Sequence, residues 1–104
     1  MSETETEFAE LANAFITMAN ERLTSTNHTQ VALALLAASA RFNAYIVTAA
    51  CGNPETARQE APKASAFLVD HFKQSLTTNM EDYIANYPTY ADTPGTNTQV
   101  MPRT

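Results

Sequence analysis

The sequence predicts an all-α fold, a small bundle of three main helices, from three observations. Large apolar residues recur at three- and four-residue steps in three separate segments, no stretch alternates apolar and polar residues as a strand would, and no internal repeat is present. At 104 residues and 11.4 kDa the chain has room for one compact domain and not for two with separate cores. Alanine contributes 18 of the hydrophobic residues, whereas Leu, Ile, Val and Phe together number 19. That is a modest supply of bulk. With only 16% charged residues and a net charge of −5, however, the self-repulsion that keeps a chain unfolded is weak.

The first helix is expected over residues 5–23. Phe8, Leu11, Ala12, Phe15, Ile16, Ala19 and Leu23 form its apolar side, which is expected to be buried, with Glu10, Asn13, Thr17, Asn20 and Glu21 opposite. Thr24 to His28 is polar and turn-prone. Asn27 followed by Gln30 has the spacing of a capping box, so a second helix should begin beside it.

That second helix, residues 28–51, is apolar at 17 of the 21 positions from Val31 to Cys51 and ends at Gly52. Its length would suit a membrane span, but Arg41 and Asn43 interrupt it, no basic anchors flank it, and eight of the apolar residues are alanines with little transfer energy. A buried helix of a soluble protein fits better. On a helical wheel Val31, Leu35, Ala38, Phe42, Tyr45, Ile46 and Ala49 make one face; Leu33, Leu36, Ala40, Val47 and Cys51 make another about 150° away. Two apolar faces need two covers.

Asn53 can cap a short turn over 54–59 with Pro54 at its first position. Because proline lacks a donor and restricts the residue before it, Pro62 is expected to start the third helix, residues 62–87, with a kinked continuation of the preceding turn as the alternative. Leu68, Val69, Phe72, Leu76, Met80, Tyr83 and Tyr87 form its stripe. The weak formers Thr77 to Asn79 are expected to lie within it, because the stripe keeps its phase across them. Residues 1–87 would then be one helical domain. Residues 88–104, rich in Pro and Thr and lacking an apolar period, would be a mobile, disordered tail.

Charge and motif content narrow the function classes. Six basic residues without a cluster, against eleven acidic ones, do not suit a nucleic-acid backbone or an anionic membrane, so neither is an expected partner. The N-terminal stretch has no Lys or Arg before Arg22 and no apolar run, which makes the cytoplasm the expected location. A lone Cys51 cannot form an intrachain disulfide or a multi-cysteine metal site.

His28 and His71 stand in no dense ligand pattern, and no metal or cofactor is expected. Ser39, Tyr45, Thr48 and Cys51 have no base at helical contact spacing. The only glycines, Gly52 and Gly95, build no phosphate loop, so no catalytic residue is assigned.

Three polar groups on the second helix remain as a candidate polar or ligand site: Arg41, Asn43 and Tyr45. Arg41 is expected to pair with a carboxylate such as Glu10, Asp70 or Asp82, because a buried guanidinium left alone is costly. Asn43 is expected to fix helix register by interhelical hydrogen bonds. Leu33, Leu36, Ala40 and Val47, or the ends of helices one and three, are expected to contribute to an oligomer interface, since two single-striped helices cannot cover both faces of the middle one.

The run Ala37-Ala38-Ser39-Ala40-Arg41-Phe42-Asn43-Ala44-Tyr45, between a helix like Phe15 to Leu23 and the segment Asn79-Met80-Glu81-Asp82-Tyr83-Ile84, resembles a family of small bacterial proteins known only as domain of unknown function 3144. The resemblance covers about residues 7–87 and implies a compact helical bacterial protein with no established activity. The expected function is a non-catalytic, self-associating interaction module. The alternative is a small-molecule binder or enzyme with a pocket near Arg41 and Tyr45.

Overall fold

A computed structural model describes residues 2–23 and 27–87. The described residues are all-α, as the periodicity predicts: α1 (Glu3–Leu23), α2 (His28–Cys51) and α3 (Pro54–Ala85). The expected polar turn at 24–26 and the expected tail at 88–104 lie outside the described residues.

Each helix start rests on a side-chain cap. The Ser2 hydroxyl accepts the Glu5 amide at 3.1 Å and the Glu5 carboxylate accepts the Ser2 amide at 3.4 Å, a reciprocal capping box that starts α1 two residues earlier than the apolar stripe suggests. Asn27 Oδ1 accepts the Gln30 amide at 3.1 Å. Asn53, in extended conformation, accepts the Thr56 amide at 2.9 Å ahead of Pro54. Between α2 and α3 the chain reverses at Gly52, whose φ of 82° is open to glycine and strained for other residues. At the far end of α3 the Asn86 backbone amide and side-chain amide both donate to the Asp82 carbonyl, each at 3.0 Å.

The expected separation of a short turn at 54–59 from a helix beginning at Pro62 is corrected. α3 is one 32-residue helix with Pro62 inside it, and it also runs unbroken through Thr77 to Asn79. The Asn53 cap and Pro54 already nucleate the helix, so continuing it past Pro62 requires only the loss of one backbone bond. Starting again at Pro62 would require a second costly nucleus.

The described residues fall into two compact units that share α2: one holds the residues up to Ala37, the other those from Ala38. In the first, the half-buried positions of α1 are Ala9, Asn13, Ile16, Thr17, Ala19, Asn20 and Leu23, and those of α2 are His28 and Val31. The sheltered side of α1 is therefore corrected. Ile16, Ala19 and Leu23 lie on it as expected, but Asn13, Thr17 and Asn20 join them while Phe8, Leu11, Ala12 and Phe15 face solvent. The small side chains of Ala9, Asn13 and Thr17, one turn apart, permit close approach of a neighbouring segment where the bulky phenylalanines would hold it off.

In the second unit Asn43, Val47 and Cys51 shelter one side of α2, and Thr56, Ala57, Ala64 and Leu68 the facing side of α3. From Val69 to Asp82 every residue is exposed, and only Tyr83 is half-buried beyond. Among the described residues none is buried.

Replacing Pro62 by alanine restores a backbone donor within a continuous helix and is expected to raise unfolding stability by roughly 1–3 kcal/mol. A urea titration with unchanged slope and a higher midpoint would show this. A lower midpoint would mean that Pro62 opens a helix after all.

Candidate functional site

The candidate polar residues all lie on the Ala38–Cys51 part of α2. Arg41 and Tyr45 stand one turn apart on the same side of the helix, both exposed. Asn43 projects from the opposite side, roughly 160–200° from them at 100° per residue, and is half-buried. One helix thus presents a cation beside a phenol, with the amide turned away from both.

The expected ion pair of Arg41 is corrected. Its side chain is exposed and forms no ion pair among the described residues, in which Arg58–Glu55 at 3.2 Å is the one salt bridge. The reason is solvation: α2 is not enclosed, so the guanidinium keeps its water and needs no carboxylate. Asn43 also departs from expectation. Its Nδ2 donates to the Ser39 carbonyl at 2.8 Å and to the Ser39 hydroxyl at 3.2 Å, so the amide is spent within its own helix and does not tie α2 to another.

The remaining chemistry-bearing groups are dispersed. The Cys51 thiol, half-buried at the end of α2, donates to the Val47 carbonyl at 3.2 Å. His71 stacks on Phe67 with ring centroids 6.2 Å apart and planes at 17°, an i,i+4 aromatic pair on α3. Gln74 donates to Asp70 at 2.7 Å on the same helix. No group of three His, Cys, Asp or Glu side chains converges among the described residues.

The four residues expected at an interface divide. Leu33, Leu36 and Ala40 are exposed, Leu33 and Leu36 keeping 59% and 47% of their surface in solvent, whereas Val47 is half-buried on the side of α2 that faces α3. Fifteen further large apolar residues are exposed among the described residues, including Phe8, Leu11 and Phe15 of α1, Leu35, Phe42 and Ile46 of α2, and Phe67, Val69, Phe72, Leu76 and Met80 of α3. The dominant surface feature is thus apolar area rather than a polar cleft. Sequence reasoning named the α3 stripe but placed it against α2.

α2 is also long and apolar enough to cross a membrane by length and composition. These features define a class: a three-helix, all-α protein whose surface is organised around unmet apolar faces. A family model described as "Protein of unknown function (DUF3144)" matches residues 8–84, and the chain belongs to that family. No curated protein and no solved structure matches the chain.

Arg41→Ala is expected to change the unfolding free energy by less than about 0.5 kcal/mol, as for a surface residue without partners. Loss of a buried ion pair would cost about 3–5 kcal/mol. Chemical denaturation of the two proteins side by side separates these results.

Proposed function

We propose that the protein is a non-catalytic, self-associating helical module whose immediate partner is a second copy of itself. The observation that carries this is the absence of any buried residue among the described ones, together with 17 exposed large apolar side chains. Ordering a backbone costs roughly 1–2 kcal/mol per residue, and each fully sheltered Leu, Ile or Phe returns about 1.5–3 kcal/mol. A single chain that shelters none completely lacks the means to hold three helices in place. A second copy supplies the missing cover at no cost in new sequence, and closed two-fold contacts are the commonest solution.

The exposed ridge Leu33–Leu36–Ala40 belongs to the associating surface in this proposal, its alanine allowing close helix approach. Arg41 and Asn43 at mid-span, with no basic anchors, favour a watery setting for α2 over a lipid one, and the cytoplasm as its compartment. An acidic chain without a basic cluster suits protein partners better than nucleic acid.

Sedimentation equilibrium at micromolar concentration is expected to give a multiple of 11.4 kDa, and Leu36→Glu to shift the distribution towards the monomer. Native mass spectrometry of the same sample should show whole multiples of the chain mass. A mass of 11.4 kDa at every concentration, or a monomer carrying a retained small molecule, would overturn the proposal.

A further inference from the structure

The run from Val69 to Asp82 is the longest among the described residues in which every residue is exposed, and it is not a polar run. Val69, Phe72, Leu76, Met80, Ile84 and Tyr87 keep 46–67% of their surface in solvent. At 100° per residue they fall within a stripe about 120° wide, a helical seam of the kind that packs against another helix. Sheltered positions on α3 stop at Leu68, and only Tyr83 is half-buried after it.

We propose that this exposed half of α3 packs antiparallel against the same segment of a second copy, about a two-fold axis beside Leu76. The proposal rests on self-association as read above and assigns its central contact. Three observations select the occupant and its direction.

The first is area. At about 160–250 Å² of total surface per large apolar residue, the stripe presents roughly 700 Å² per copy, or about 1,400 Å² for two, within the range of about 1,200–2,000 Å² that specific interfaces bury. The second is register. Centring the pair on Leu76 sets Phe72 opposite Met80 of the second copy and Val69 opposite its Tyr83, so large side chains meet large side chains along the seam.

The third is charge. Lys73 and Glu81 project on the same side of the stripe's midline, about 40° and 120° from it at 100° per residue. In the antiparallel pair Lys73 sits level with Asn79 of the second copy, about 3 Å along the axis from Glu81, so opposite charges approach on both sides of the two-fold. A parallel pair would instead align the two helix dipoles.

The test is disulfide cross-linking in the full chain with Cys51→Ala, under a mild oxidant, with the mass of each variant measured by sedimentation. Leu76→Cys, beside the axis, is expected to link to itself. Phe72→Cys and Met80→Cys are expected to link only when the two variants are mixed, since like positions lie about 12 Å apart along the axis. In the unaltered protein, carbodiimide treatment of mixed isotopically light and heavy chains is expected to join Lys73 of one to Glu81 of the other, which decides the matter if a cysteine variant fails to fold. Self-linking of Phe72→Cys and Met80→Cys would overturn the antiparallel pairing. An oligomer that links at none of these positions, by either chemistry, would overturn the α3 contact while leaving self-association standing. A monomeric mass for the unaltered protein would remove both.

Discussion

Large apolar side chains exposed along all three helices among the described residues constrain every other feature of this protein. The three helices are well specified locally: Ser2 with Glu5, Asn27 and Asn53 each satisfy otherwise orphaned amides, and Gly52 turns the chain between α2 and α3. Caps of this kind contribute about 1 kcal/mol each, enough to position a helix end and not enough to hold a tertiary structure. Holding it requires Phe, Leu, Ile and Met side chains out of water, and these point outward on all three helices. On the self-association proposed above, the folding problem is also an association problem.

The parts of the fold legible in the sequence are those decided within one or two turns of chain. α2 begins beside Asn27 and ends at Cys51 as its cap and glycine signals predict, and the Asn53–Pro54 start was visible as a cap. Pro62 shows where a local rule loses. Proline disfavours the helix interior, but a helix already nucleated at Pro54 can absorb one missing bond. The Ser2–Glu5 box has the capping-box spacing in the sequence, but the apolar stripe that marks the helix begins only at Phe8.

The side of each helix that is sheltered was less legible, because periodicity defines a stripe without naming its neighbour. On α1 the stripe of Phe8, Leu11 and Phe15 is genuine, but the small polar residues beside it approach the rest of the unit more closely. On α3 the stripe runs on past Leu68, after which only Tyr83 is half-buried. The polar candidates on α2 follow the same logic. Arg41 and Asn43 looked demanding only on the premise that α2 is enclosed; with the helix open to solvent, one is hydrated and the other bonds back to Ser39. Membership of the DUF3144 family fits a compact helical chain and adds no chemistry to it.

Coupling between folding and association is the central claim, and the thermal midpoint as a function of protein concentration tests it most directly. Helical circular dichroism followed through unfolding over a hundredfold range of concentration should give a single transition. Its midpoint is predicted to rise with concentration by about 5–10 °C, as mass action requires when the folded state is an assembly and the unfolded state is not. A midpoint that stays fixed across that range would contradict the account, because it would show three helices holding together within a single chain.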